Sequence, residues 1–198
     1  FGPLISRWLG VDPYSFNSEL ISDNGGLPIG KFGGVSLDHP LGVEPLTGRD
    51  ILARLLYGSR ISLLIAGSAT LISVTIGTIV GIIAGNSRGR LDSILSRFMD
   101  ITIAFPLLLV IIAMSPVIEQ RLQGLGLPEG NPSRITTFIL VLSVFGWPYL
   151  ARIVRGQVLS LREREFVEAA TSIGSGTPRM VFKELLPNLW AQIGRAHV

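Results

Sequence analysis

Few residues in this chain combine the types and spacing that chemistry requires. There is no G-x-x-x-x-G-K-[ST] run, so the chain has no loop of its own to cradle nucleotide phosphates. The two histidines, His39 and His197, lie far apart, and neither sits in an H-E-x-x-H setting. His39, in "HPLG", reads as a turn residue, and no metal site is expected. G-x-S-x-G is absent and no Ser-His-Asp arrangement can be assembled. With zero cysteines, disulfides, thiol chemistry and thiolate metal sites are excluded. Asp100 is the one acid beside an apolar run. A carboxylate at mid-bilayer costs roughly 2.5–3.5 kcal/mol and is a functional suspect by default. Arg97, three residues earlier, favours an interfacial ion pair or a helix-end contact instead. What remains is "EREFVEAATSIGSGTPRMVFKELLPN" (163–188), charged and turn-bearing, whose chemistry would be contact rather than catalysis. No catalytic residue and no cofactor are expected in this chain.

The surroundings of that segment are apolar. Over 198 residues, 47% are hydrophobic and 16% charged, and the mean hydropathy is +0.51; charged residues ordinarily make up about 25%. Residues 61–85, "ISLLIAGSATLISVTIGTIVGIIAG", carry no charge, and at 1.5 Å per residue they reach roughly 37 Å, enough to cross a hydrocarbon core of about 30 Å. "ITIAFPLLLVIIAMSPVI" (101–118) and "ITTFILVLSVFGWPYL" (135–150) are shorter runs of the same kind. Their prolines are tolerable because neighbouring helices can satisfy freed carbonyls. The expected fold class is an all-α integral membrane protein with three spans. A net charge of +3, without a basic run interleaved with aromatics, gives no nucleic-acid footprint. No signal peptide is visible, and "FGPLI" reads as the tail of an apolar helix, so the chain is expected to be a piece of a longer protein.

Charge sets the expected sidedness. Arg88, Arg90 and Arg97 crowd residues 86–97, and Arg152, Arg155, Arg162, Arg164, Arg179 and Lys183 lie in 151–188. The positive-inside rule places both segments in the cytoplasm, which agrees with three spans. Residues 1–60 and 119–134 then face outward. Nine glycines and five prolines in residues 1–50 read as an external loop. "GRDILARLLYGSRISL" (48–63) reads as an amphipathic helix near the outer interface, before the first span. Within that span, Ser73, Gly77, Gly81 and Gly85 recur every four residues. Small residues at that spacing let helix backbones approach closely in lipid; a competing reading is that glycine is simply common in spanning helices.

In the charged stretch, Ile153, Val154, Val158 and Leu161 fall at helical spacing, and the helix is expected to continue through "FVEAATSI". Ala169 and Ala170 add almost no bulk. Gly174 suits a left-handed C-cap, Thr177 an N-cap and Pro178 the first helical position. Pro187 ends or kinks the second arm. The expectation is helix, turn, helix on the cytoplasmic face. These features alone fit an amphipathic hairpin resting on lipid headgroups about as well as a docking element.

"EAATSIG" followed by "LLPN" resembles the EAA signature of permease subunits of binding-protein-dependent ABC importers, with Glu168, Ala169, Ala170, Gly174, Leu186 and Pro187 in register. "HPLGVEPLTGRDILARLLYGSRISLL", "RFMDITIAFPLLLVI" and "WPYLARIVRGQVLSLREREFVEAA" look like the C-type permease of dipeptide, oligopeptide and nickel transporters. The resemblance covers about residues 37–192. It implies the type I ABC importer transmembrane fold, incomplete here at both ends. Residues 1–57 would form the external loop and 58–198 a partial permease domain, with a coupling hairpin at about 151–188. It also implies that those six residues couple to a separate cytoplasmic ATPase, where ATP and Mg would bind. The implied partners are a second permease, ATPase subunits, an extracytoplasmic substrate-binding protein and membrane lipid. Glu184 departs from the family pattern, which often has histidine or an apolar residue there, and the closing "GRAHV" does not look like the start of a further span. An ion-coupled secondary carrier would want acids deeper in its helices. A membrane scaffold would need no Glu-Ala-Ala at a set distance from Gly and Leu-Pro.

Overall fold

The structure is a computed structural model; it describes residues 12–23, 25–87 and 89–165, together with 167, 172, 174, 176, 183 and 187. Among these residues the architecture is all helical, with four α-helices: α1 (Ile51–Asn86), α2 (Arg90–Ala104), α3 (Leu107–Gly124) and α4 (Asn131–Arg162). A 3-10 turn at Ser18–Leu20 and two isolated antiparallel bridges, Ile21 with Pro28 and Val43 with Asp50, complete the described backbone. The residues group into two compact units, 1–66 and 67–198. Among the described residues three helices are long and apolar enough to cross a membrane: α1, α3 and α4.

In the first unit the segment before α1 is irregular but well bonded. Ser22 N donates to Leu27 O at 2.8 Å, Ile29 N to Leu20 O at 2.7 Å, Val43 N to Gly33 O at 3.0 Å and Glu44 N to Arg49 O at 2.8 Å. Two glycines are required by contact as well as by conformation. A Cβ on Gly42 (φ +76°) would lie 2.3 Å from Gly33 O, and one on Gly48 (φ +66°) 2.2 Å from Asn17 O. The folded loop delivers Asp50, which is 2% exposed, to the start of α1. Its Oδ1 accepts from Ala53 N at 2.6 Å, satisfying one of the donors a helix start leaves orphaned. Its Oδ2 meets His39 Nδ1 at 2.8 Å, so the turn residue also carries a polar contact.

Three boundaries differ from expectation. The amphipathic 48–63 segment is not a separate interfacial helix. It is the first part of one continuous 36-residue helix, because Gly58 costs a helix only about 1 kcal/mol and no proline interrupts the run. The 86–97 loop contracts to a tight turn at Gly89 (φ +74°), and α2 starts at Arg90. The 101–118 run is broken rather than continuous. Phe105 (φ −74°, ψ 126°) and Pro106 (φ −70°, ψ 108°) are both extended, since proline lacks an N–H and pushes the residue before it out of the helical region. The span therefore runs from Leu107 to Gly124, with Pro116 held inside it. A left-handed Gly126 (φ +99°) ends α3, with Leu127 N donating to Leu122 O at 3.0 Å and Gly126 N to Gln123 O at 2.9 Å, a Schellman closure.

In the second unit, α1 and α4 touch along one line. A Cβ on Gly77 would lie 2.8 Å from Trp147 O. One on Gly81 would lie 2.6 Å from Ala151 O and 2.7 Å from Val154 Cβ, and one on Gly85 2.7 Å from Val158 Cβ. Ser73 heads the same line, its hydroxyl donating to Ser143 O at 3.3 Å. Ala84, Met99, Trp147 and Ala151 form the buried core, with Val80 and Leu95 packed on it. Phe98 of α2 stacks on Trp147 with ring centroids 5.8 Å apart.

This contact gives a direct expectation for stability. A Cβ at Gly81 meets backbone and cannot be accommodated by a rotamer change, so Gly81→Ala should cost about 1–3 kcal/mol as overpacking. Gly156→Ala, where nothing lies within 4 Å of the new Cβ, should be neutral or slightly stabilising. Thermal unfolding in detergent distinguishes the two; equal behaviour would contradict the close approach.

Candidate coupling end of the helix bundle

The end of the bundle that the positive-inside rule assigns to the cytoplasm is the end where α4 leads toward the expected coupling segment. There α4 carries Arg152, Arg155 and Arg162, read from sequence as the polar side of a cytoplasmic helix. The structure gives each an intramolecular partner. Arg155 Nε and Nη2 donate to the two carboxylate oxygens of Asp92 at 2.6 and 2.7 Å. Arg152 Nη2 donates to Asp100 Oδ1. Arg162 Nη1 donates to Gly85 O at 2.9 Å, covering one of the last carbonyls of α1, where a cation also complements the helix dipole.

The acids come from one face of α2, where Asp92, Ser96 and Asp100 recur every fourth residue. Ser96 Oγ donates to Asp92 Oδ1 at 3.3 Å. The ion pair expected for Asp100 exists, but with Arg152 rather than Arg97. Local spacing suggested the wrong arginine because the true partner is 52 residues away on another helix. The Arg155 guanidinium holds the Asp92 carboxyl below its usual range, outweighing the cost of partial burial, with Ser96 contributing further. By sign, a lowered folded-state value means that the contribution is complete above the ordinary carboxylate range. It disappears only as pH falls through the lowered value. The pair is thus charged throughout neutral pH.

Beyond the clamp the chain bends. Val141, Trp147, Ala151, Val154, Val158 and Leu161 line the buried side of α4, whereas Ile153, read as part of that apolar side, is 56% exposed. The helix is interrupted before "FVEAATSI": Glu165, Val167 and Ser172 are again helical, and the other residues of that stretch lie outside the described ones. α4 ends at Arg162, with a turn at Glu163–Arg164 closed by Arg164 N donating to Leu161 O at 3.1 Å. A straight continuation would bring Glu165, four residues after Leu161, onto the buried stripe. The bend leaves Glu165 exposed and buries Val167 instead.

Of the expected coupling residues, Gly174 lies in a turn with φ +81°, a left-handed conformation, and nothing approaches within 4 Å of its potential Cβ. Pro187 is helical and exposed. Glu168, Ala169, Ala170 and Leu186 lie outside the described residues, as do Thr177, Pro178, Glu184 and His197. Ser73, Gly77, Gly81 and Gly85 form the α1 side of the contact line described above. Among the described residues, no group of three His, Cys, Asp or Glu side chains is placed to hold a metal ion.

Comparison with known proteins places this arrangement. Residues 77–193, more than half of the chain, match the family of binding-protein-dependent transport system inner membrane components. The chain belongs to this family. This inner membrane component is 37% identical over 193 residues to the oligopeptide transport system permease protein OppC of Bacillus subtilis, covering 98% of this chain and 54% of that protein. It is 42% identical over 158 residues to the dipeptide transport system permease protein DppC of the same organism, covering 80% and 45%. To OppC of Haemophilus influenzae it is 38% identical over 143 residues, covering 72% and 42%. The chain thus spans about half the length of the curated relatives it matches. Family and helices together make it a multi-pass protein of the cell membrane.

The two ion pairs should differ in weight. Asp92 and Arg155 are 22% and 28% exposed, and Asp100 and Arg152 62% and 53%. Asp92→Asn should therefore cost about 1–3 kcal/mol, between the exposed and buried extremes, and Asp100→Asn no more than about 1 kcal/mol. The Asp92→Asn deficit should persist between about pH 5 and 8, because the pair is ionised across that range. Unfolding curves at several pH values test both, and equal costs would contradict the assignment.

Proposed function

We propose that this chain is part of a permease subunit of an ATP-driven, binding-protein-dependent importer, coupled to a separate ATPase through the segment around Glu168–Pro187. The observation that carries the reading is register. Glu168, Ala169, Ala170, Gly174, Leu186 and Pro187 fall at the spacing of the EAA signature, inside the family match over residues 77–193. The helical geometry supports it. α4 is gripped by α1 and α2 up to Arg162, and a turn at Glu163–Arg164 separates it from the segment that carries the signature.

In this reading the two alanines keep the docking surface slim, and Gly174 supplies a bend that a residue with a Cβ adopts only at a cost. ATP and Mg bind in the ATPase subunits. Closure of the ATPase pair pulls the docked segment, and the paired permeases exchange inward- and outward-facing states. An extracytoplasmic binding protein supplies the solute. The names of the relatives, which carry oligopeptide and dipeptide transport, support peptides as the solute class.

The test uses the complete transporter. Gly174 has open space but a left-handed backbone, so Gly174→Val should fail through strain, whereas Gly174→Asn, which tolerates that conformation, should function. Gly174→Val and Ala169→Arg should each reduce ATPase co-purification or peptide uptake at least about tenfold, equivalent to about 1.4 kcal/mol. Retention of both activities in both variants would overturn the coupling role. An attached, active ATPase without uptake of any peptide would overturn only the solute class.

A further inference from the structure

The contacts at the coupling end are distributed unevenly along α4. Its inner half, from Ala151 to Arg162, is tied to two other helices. Asp92 and Asp100 of α2 hold Arg155 and Arg152, and Arg162 grips Gly85 O at the end of α1. Gly81 and Gly85 bring the α1 backbone against Ala151, Val154 and Val158. The outer half of α4 keeps α1 as a neighbour, at Ser73–Ser143 and Gly77–Trp147, and adds α3 in place of α2. Gln123 Nε2 of α3 donates to Ser133 Oγ at 3.5 Å, and Glu119 faces Arg134 at 3.7 Å.

Between the halves, α4 and the α2–α3 connection each carry a break in backbone hydrogen bonding, whereas α1 runs through unbroken. On α4 the break is Pro148, which removes the donor to the Val144 carbonyl. Between α2 and α3 it is the extended pair Phe105–Pro106. The two lie side by side: the rings of Phe105 and Phe145 meet edge to face, with centroids 6.3 Å apart. Hinges are a few element-terminal or weakened positions that absorb dihedral change while the packed elements on either side stay intact.

We propose that the Asp92–Arg155 pair, with Asp100–Arg152, ties α2 to the inner half of α4 as a single lever bounded by the breaks at Pro106 and Pro148, which moves along the unbroken α1. This rests on the coupling reading above, since the elbow beyond Arg162 is the lever's handle. Asp92 and Arg155 are then positioning residues. They touch neither solute nor nucleotide, and they ensure that a pull on α4 is delivered to α2. A bidentate guanidinium–carboxylate pair suits that role, because two parallel hydrogen bonds fix orientation as well as distance. Had the pair served only to neutralise charge, one exposed contact would have sufficed.

These 198 residues have no cysteine; with any cysteine elsewhere in the transporter replaced, spin labels report only the introduced sites. In the complete transporter, labels introduced through Ser93→Cys on α2 and Ser160→Cys on α4 report whether the two helices move together. Without other changes, the inter-label distance should be unaltered when a non-hydrolysable ATP analogue binds, while a label on α4 moves relative to the ATPase. In Asp92→Arg or Arg155→Asp the nucleotide should shift or broaden the α2–α4 distance. The exchanged pair Asp92→Arg/Arg155→Asp should restore a single distance, a rescue that general loss of stability would not give. A distance that changes with nucleotide in the otherwise native protein overturns the lever, as does one that stays fixed in both single variants. If single variants fail to assemble, the exchanged pair still decides: a nucleotide-dependent distance there also contradicts the proposal. Failure of the ATPase to co-purify with the native protein would instead remove the coupling reading, and the lever with it.

Discussion

The packing of α1 on α4 depends on how closely two helix backbones approach inside a bilayer. Lipid tails are as apolar as leucine, so helices gain little from hiding side chains against each other and must gain from contact itself. Gly77, Gly81 and Gly85 remove the side chains that would hold the backbones apart, and the carbonyls of Trp147, Ala151 and Arg155 come to within 3 Å of where those side chains would begin. That approach sets the rest of the second unit. It puts Trp147 within reach of Phe98 and Met99 of α2 and carries Arg162 to the last turn of α1. It also presents Arg152 and Arg155 to the acidic face of α2.

Much of this was legible in sequence, and what was not has identifiable causes. Uncharged runs announce spans because hydrocarbon penalises charge, so the first and third spans fall where expected. Small residues every four positions marked one face of α1, although nothing local named α4 as the facing helix. The break at Phe105–Pro106 was hidden because apolar composition continues smoothly across it; only proline's backbone chemistry reveals it. The end of α4 was missed for a related reason. "REREFVEAA" has good helix formers throughout, and the helix is interrupted at Glu163–Arg164 because the buried stripe after Leu161 would next demand position 165, where the chain has a glutamate.

The arginines of α4 show the limit most clearly. In a linear reading they belong with their neighbours Glu163 and Glu165 as the solvated side of an amphipathic helix. Their partners, Asp92 and Asp100, are separated from them by a whole span and two turns. Charge pairing across helices depends on register in three dimensions, and register follows from the glycine line rather than from the charges. The coupling signature is the reverse case. Its register is plain in sequence, while Gly174 and Pro187 are the two of its residues that the structure describes.

The direct test of this hierarchy is whether the glycine line of α1 faces α4 in the membrane-embedded protein. A Cβ built on Gly146 would lie 3.6 Å from Ser73 Cβ, inside the range of about 3.5–4.5 Å that a disulfide spans. In the natively cysteine-free chain, Ser73→Cys/Gly146→Cys should therefore cross-link under mild oxidation within one polypeptide. A pair of free thiols under the same oxidant, or a bond formed only between two copies of the chain, would contradict the packing on which the account depends.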